Sequence, residues 1–369
     1  YLYLCGEGAL VRPGKKSIAK LILLALVSYP ISLYADISVG VYYFPGWLKS
    51  APLKPNDPWL KIKKYPEKKP LNGWYKDGDP HTTEQQTTWM HKAGIDFIIY
   101  DWYWLENHGV TLNQTIDSFI ASKSKKGIEF SILWANHFNS PRSMRTFDMV
   151  VEYWIANYFS SSDYKTIDGK PVVFIFSPQE LDRQARIFGS SSRELIDRAR
   201  EKAVSSGLNG IYFVGVSQAL SNNLFNITKD GYDALTAYNY HYGVSGEHNK
   251  STKPSTSYQE LTDGYEQSWQ WIIDNTKIPY FVPVTSGWDK RPWGGSKDLS
   301  HDNSTSTPEQ FGHHVSAAKK FIEMHHKKTL GHMVICCWNE YGEGSYIEPT
   351  KKFGTDYIRA LKQSLDKKD

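Results

Sequence analysis

Val334-Ile335-Cys336-Cys337-Trp338-Asn339-Glu340-Tyr341-Gly342-Glu343-Gly344-Ser345 runs from an apolar, strand-like segment straight into two carboxylates three positions apart. An apolar run without alternation reads as a strand buried on both faces, the habit of parallel sheets. Alternate residues of a strand point to opposite faces, so carboxylates at i and i+3 converge only if the chain turns just after the strand. Gly342 and Gly344 permit that turn. Two carboxyl groups held close together cannot both ionise cheaply, and their repulsion raises one pKa so that an acid and a base coexist near neutral pH. Trp338, Asn339, Tyr341, Tyr346 and Glu348 crowd the same stretch, which suits a pocket that stacks on a pyranose ring and hydrogen-bonds its hydroxyls.

Seven similar runs precede this one. Strand signals fall at 39–44, 97–101, 130–134, 172–176, 211–216, 234–238, 280–284 and 333–338, and amphipathic stretches such as those at 83–93, 112–124, 147–159, 193–205, 258–275 and 308–326 lie between them, with 357–365 closing the chain. Thr307-Pro308-Glu309 opens one helix in the style of an N-cap followed by proline, and Gly94 and Gly127 close others. Eight strand and helix pairs predict an α/β fold, a (β/α)8 barrel, with an open doubly wound sheet as the structural alternative. No Gly-x-Gly-x-x-Gly follows the first strand, so no dinucleotide cofactor is expected.

Ahead of the first strand, Arg12, Lys15, Lys16 and Lys20 precede the apolar run 21–33, which ends in Tyr34-Ala35-Asp36. That is the order of a secretory signal peptide. The expected organisation is therefore a segment 1–35 and one barrel domain 36–369, located outside the cell, in the periplasm or at the cell surface, with an uncleaved N-terminal anchor as the alternative. Residues 1–35 carry four basic side chains and Glu7, so without them the formal net charge falls from +4 to +1. That is too little to favour nucleic acid. No later segment is apolar enough for a membrane span. Cys336 and Cys337 are neighbours in a buried strand and read as core thiols. His313, His314, His325 and His326 share one helical region, but no two of them stand at i and i+4, so they read as a solvated face and no metal is expected.

A barrel places its chemistry after the C-terminal ends of its strands. The residues found there are Tyr43 near the end of the first strand and Trp47 after it, Asp101 at the end of the second with Trp102 and Trp104 beyond, and Asn136 and His137 after the third. Tyr240 follows the sixth, Trp288 and Asp289 the seventh, and Asn339 and Tyr341 flank the glutamates of the eighth. All twelve are candidate substrate-binding residues, with Glu340 and Glu343 as the catalytic pair.

The chain resembles the glycoside hydrolase family 99-like group, which includes endo-α-mannosidases and bacterial proteins labelled WbsX. The resemblance rests on Val41-Tyr42-Tyr43-Phe44-Pro45-Gly46-Trp47, on Ala93-Gly94-Ile95-Asp96-Phe97 leading into Asp101-Trp102-Tyr103-Trp104, and on Trp134-Ala135-Asn136. It continues through Gly287-Trp288-Asp289 and is most specific from Trp338 to Gly344 and in Ile347-Glu348-Pro349-Thr350. It implies a (β/α)8 fold and retaining cleavage of a poly- or oligosaccharide, α-mannosides among the candidates, without metal or organic cofactor. Glu340 would deprotonate the sugar 2-hydroxyl, which attacks the anomeric carbon, while Glu343 protonates the leaving oxygen. Gly342 departs from the mammalian endomannosidases, which tend to carry His between the acids. The WbsX label has also been given to glycosyltransferases of polysaccharide synthesis, and Asp77-Gly78-Asp79 is the nearest match to a nucleotide-sugar Asp-x-Asp. A non-catalytic carbohydrate-binding barrel is the third reading.

Overall fold

Eight parallel strands carry the runs read above. They are β1 (Ser38–Tyr43), β2 (Phe97–Leu105), β3 (Glu129–Trp134), β4 (Lys170–Ile175), β5 (Tyr212–Val216), β6 (Ala234–Thr236), β7 (Val282–Thr285) and β8 (His332–Cys336). In this computed structural model, which describes residues 37–49, 56–242 and 253–366, the strands pair in the order β6-β5-β4-β3-β2-β1-β8-β7. The ring closes at Leu235, whose N–H donates to the Pro279 carbonyl and whose carbonyl accepts from the Phe281 N–H, both at 2.9 Å. The described residues belong to one unit spanning 35–369. The expected signal segment lies outside them.

Helices connect successive strands on the outside: α1 (Pro80–Ala93), α2 (Gln114–Ala121), α3 (Met144–Asn157), α4 (Pro178–Ile187), α5 (Ser192–Ser205), α6 (Ser221–Asp230), α7 (Tyr258–Asn275), α8 (Pro308–Met324) and α9 (Asp356–Asp366). Ser143, Ser177, Ser191, Ser257 and Thr307 cap α3, α4, α5, α7 and α8 by accepting the N–H three residues on. Helices α4 and α6 carry little sequence signal: α4 buries only Pro178, Leu181, Gln184 and Ala185, and α6 is interrupted by Asn222, Asn223 and Asn226, poor helix formers. Among the described residues no helix is long and apolar enough to cross a membrane.

Strand alternation splits the core in two. Tyr42, Phe97, Ile99, Leu133, Phe174 and Val334 fill the barrel, while Val41, Ile98, Ile132, Val173 and Ile335 face the helices. Cys336 and Cys337 are core residues as expected, but not free thiols, because they are joined to each other as a vicinal disulfide. His314 is a second correction: it is buried rather than solvated, its ring stacked on Trp269 at 5.2 Å, and burial drives its pKa down to about 3 so that it stays neutral.

Strand β2 runs four residues further than its apolar signal because it pairs with an antiparallel segment, Gly109–Thr111. Trp102 and Trp104 therefore stand within the strand and, by its alternation, on the helix side. Trp102 lies 5.6 Å from Trp154 of α3, and Trp154 lies 5.4 Å from Trp134, both edge to face. Trp154 is fully buried, so Trp154→Ala should lower unfolding free energy by ~3–5 kcal/mol, the scale of an emptied tryptophan site. Denaturant unfolding followed by circular dichroism measures it, and a loss below ~1 kcal/mol would mean that this tryptophan cluster does not anchor α3 to the barrel.

Candidate active site

Extending the inward positions of each strand past its end builds a cavity of ≈ 610 Å³ at the C-terminal mouth. Phe44 continues β1, Asp101 and Tyr103 lie on β2, Val216 ends β5, and His137, Phe176 and Tyr238 follow β3, β4 and β6. Trp288, Trp293, His241, Glu340 and Glu343 also line the cavity, with Gln179, Gln218, Asn223 and Asn239 among its polar lining residues. The walls are largely aromatic, and the floor is acidic.

The two glutamates sit on a turn held from several sides. Asn339 and Glu340 pair with Tyr346 and Ser345 as a short antiparallel bridge, and the Glu343 N–H donates to the Glu340 carbonyl at 3.2 Å. The Glu343 carbonyl in turn accepts from the Asp289 N–H at 2.7 Å. Gly344 has φ +73°, and a Cβ there would lie 2.5 Å from that same Asp289 nitrogen, so the turn requires glycine. Gly342 is required for a different reason. A Cβ at that position would fall 2.1 Å from the Trp293 ring, which lies against the backbone between the two acids.

Behind the turn, Asn339 is fully buried; its Oδ1 accepts from the Phe44 N–H at 2.9 Å, and its Nδ2 donates to the Phe44 carbonyl at 3.0 Å. Trp47 Nε1 donates to the Asn339 carbonyl at 3.0 Å. Glu348 Oε2 accepts from the hydroxyls of Tyr75 and Tyr341, both at 2.8 Å, and its Oε1 from Gln86 Nε2 at 2.7 Å. Asp77 accepts from the Tyr43 hydroxyl at 2.6 Å and the Trp47 N–H at 2.7 Å. Asp289 is salt-bridged to buried Lys68 at 2.8 Å and bound by both forks of Arg291. Burial alone would raise the Asp289 carboxyl, but Arg291 and Lys68 more than offset it and hold it below the ordinary carboxylate range.

Inside the cavity burial is the largest influence on Glu343 and Asp101. Burial lifts the Glu343 carboxyl to about 7, with Lys290 opposing. Asp101 is raised well above its usual range, first by burial and then by the charge of Glu343, with the Tyr238 hydrogen bond opposing. The Tyr238 hydroxyl lies 3.2 Å from Asp101 Oδ2 and 3.4 Å from Glu340 Oε1. One phenolic proton cannot serve two carboxylates at once. A protonated Asp101 resolves the conflict by donating to Tyr238, which leaves the Tyr238 proton for Glu340.

The cavity thus gathers Glu340, Glu343, Asp101, His137 and Trp288 of the fourteen residues singled out in the sequence. The other nine stand behind its wall. Tyr43, Trp47, Asp289, Asn339 and Tyr341 belong to the network just described, and Trp102 and Trp104 pack against Tyr153 of α3. Asn136 is fully buried and bonds both the N–H and the carbonyl of Ser177 at 2.8 Å. The Tyr240 hydroxyl meets that of Tyr280 at 3.0 Å. Phe44, Tyr103, Phe176, Tyr238 and His241 were missed; strand parity alone would have found the first four. Among the described residues no cluster of His, Cys, Asp or Glu could hold a metal.

Residues 55–361 match the family described as Glycosyltransferase WbsX. No curated protein matches the chain at a significant level. Among solved structures it is similar to the GH99 endo-alpha-mannosidase from Bacteroides thetaiotaomicron, with 18% identity, TM-score 0.60, and coverage of 89% of this chain and 96% of that one. A glycoside hydrolase-like protein is similar at 15% identity and TM-score 0.63, over 90% and 95% of the two chains. At these identities the likeness is one of fold, and it agrees with the (β/α)8 barrel read from the strands.

The carboxyls of Glu348 and Asp77 are both raised to about 7, chiefly by burial. Such acids bind protons in the folded state that the unfolded chain has already released, so stability is highest below the ordinary carboxylate range and is lost as pH rises through about 7. Thermal unfolding should show a lower Tm at pH 8 than at pH 5. Glu348→Gln, which cannot ionise, should flatten that dependence by on the order of 2–3 kcal/mol, and an unchanged slope would count against a protonated Glu348.

Proposed function

We propose, from the premise that the chain belongs to the WbsX family, that it is a retaining glycoside hydrolase acting on a poly- or oligosaccharide through Glu340 and Glu343. The observation that carries this reading is the acidic floor: Glu340, Glu343 and Asp101 converge on one cavity, and burial holds the Glu343 carboxyl at about 7. A carboxyl half-protonated at neutral pH is suited to protonate a leaving glycosidic oxygen. Glu340, accepting from Tyr238, is suited to act as the base. In the proposed reaction Glu340 takes the proton of the sugar 2-hydroxyl as that oxygen bonds to the anomeric carbon. The glycosidic bond breaks as Glu343 gives its proton to the leaving oxygen. Water then opens the 1,2-anhydro sugar, losing a proton to Glu343 while Glu340 returns one to O2. A 2-hydroxyl trans to the leaving group, as in α-mannosides, fits this route.

The family's description offers a second reading as a nucleotide-sugar glycosyltransferase. Two observations weigh against it. Among the described residues lining the cavity none is Lys or Arg, although a diphosphate leaving group calls for cationic partners. Of the Asp-Gly-Asp run, Asp77 is occupied by Tyr43 and Trp47, and Asp79 caps α1 through the Thr82 N–H. We further propose that residues 1–35 direct export, which would make an extracellular polysaccharide the natural substrate.

Screening the purified protein against polysaccharides, with product analysis, is the first test. On a substrate so found, Glu340→Gln should lose ~10²–10⁴-fold in kcat whatever the leaving group, while Glu343→Gln should be partly rescued by an activated aryl glycoside. Activity should fall on the alkaline side with an apparent pKa near that of Glu343, about 7. Turnover of a 2-deoxy or 2-O-methyl substrate, or inversion at the anomeric carbon by NMR, would rule out the neighbouring-group route; full activity in both Gln variants would rule out the glutamates.

A further inference from the structure

The wall of the cavity at the β6 and β7 ends is made of His241 and Trp288, whose rings meet edge to face at 4.2 Å. Behind them His301 is 4% exposed and stacks on Trp288 with centroids 5.5 Å apart. The Trp288 indole N–H is committed to Ser296 Oγ at 2.9 Å. Trp288 therefore lines the cavity with apolar ring surface and no free donor.

The histidines form a chain whose proton positions follow from one carbonyl. His301 Nδ1 lies 3.0 Å from the Ser255 carbonyl oxygen, which can only accept, so Nδ1 carries the hydrogen. The alternative, with the Ser255 hydroxyl donating to Nδ1 across 3.1 Å, would set two lone pairs against each other at that carbonyl. A neutral His301 then presents a lone pair at Nε2, and that nitrogen faces His241 Nδ1 at 3.5 Å, a long contact that is attractive only if His241 Nδ1 is the donor. Both rings are held neutral: burial lowers each, bringing His241 to about 3 with the help of His301 and Lys290. With its proton on Nδ1, a neutral His241 has a bare lone pair on Nε2, the nitrogen turned away from His301.

We infer that His241 Nε2 is a built acceptor for a sugar hydroxyl, and that His241 with the Trp288 face forms a specificity-determining wall that selects sugars presenting an O–H beside an apolar C–H face. The inference rests on the carbohydrate reading of the cavity, and it adds to that reading a direction: the wall accepts and does not donate. A site built to accept a hydroxyl hydrogen strongly rejects an analogue that lacks it, because the acceptor is left desolvated and unpaired.

The test uses histidine-labelled full-length protein and long-range ¹H–¹⁵N NMR, which distinguishes the two ring nitrogens; His241→Gln identifies the His241 signals by their loss. The free protein should show His241 protonated on Nδ1. His301→Ala, which removes the acceptor, should shift the proton toward Nε2. A His241 found protonated on Nε2 in the wild type overturns the inference, whether or not the alanine variant folds. Titration with methyl α-mannoside, methyl α-glucoside and methyl α-galactoside should then move the His241 Nε2 resonance together with the Trp288 indole N–H. Movement of Trp288 alone overturns the assignment of His241. No movement of either with any of the three sugars overturns the carbohydrate reading itself, and the sugar hydroxyl with it, while the tautomer is read independently.

Discussion

Beyond the ladder that pairs β1 with β8, a single buried amide ties together the two chain segments that leave those strands. Asn339 binds both the N–H and the carbonyl of Phe44, two groups that would otherwise face the end of an interrupted ladder. Leaving a buried donor and acceptor unpaired costs about 1–3 kcal/mol each, so the amide fixes where the β8 extension lies, and Glu340 is the next residue along. Everything behind the mouth is arranged on that tie. Trp47 holds the Asn339 carbonyl, the Tyr75 hydroxyl accepts from its amide at 3.3 Å, and Glu348 gathers Tyr75 and Tyr341 beneath the turn.

This arrangement separates acids that act from acids that support. Asp289 is buried but fully ion-paired, and its charge is accommodated by two cations. Glu348 and Asp77 are buried among neutral donors, which weakens but does not cancel the cost of ionisation. Glu343 and Asp101 line the cavity, where the largest influence on each is burial. The same physical pressure therefore gives opposite outcomes according to the partners at hand. Among the described residues, the cavity is where carboxyls that keep a proton near neutral pH also line a space that a ligand could enter.

Much of this was legible in the sequence. The eight apolar runs, the capped start of α8 at Thr307 and the glutamate turn read correctly because each depends on local chemistry: burial on both faces, a side-chain cap, a glycine; Gly127 closes no helix, since α2 already ends at Ala121. The binding residues were harder. Asp101 and Trp102 are adjacent and looked equivalent, yet strand alternation sends one into the cavity and the other against α3. Aromatic richness near strand ends was mistaken for accessibility, when Trp47, Trp102 and Tyr341 are packing and anchoring groups. His241 lies in the same strand-end run as Tyr240, but its contact with His301, sixty residues away, leaves no local signal.

The barrel is not equally strong around its circumference. Strand β6 has three residues, and its junction with the β7 side rests on one bridge at Leu235, whereas β2 and β3 are paired over six positions. A ring of strands opens first along its least bonded seam, and the backbone amides there exchange with solvent before the rest. Tyr238 and His241 follow directly on that seam. Opening of the barrel wall is thereby favoured on the Tyr238 and His241 flank of the cavity, while the flank built on the longer β2 and β3 ladder, which carries Asp101 and His137, is the firmer one.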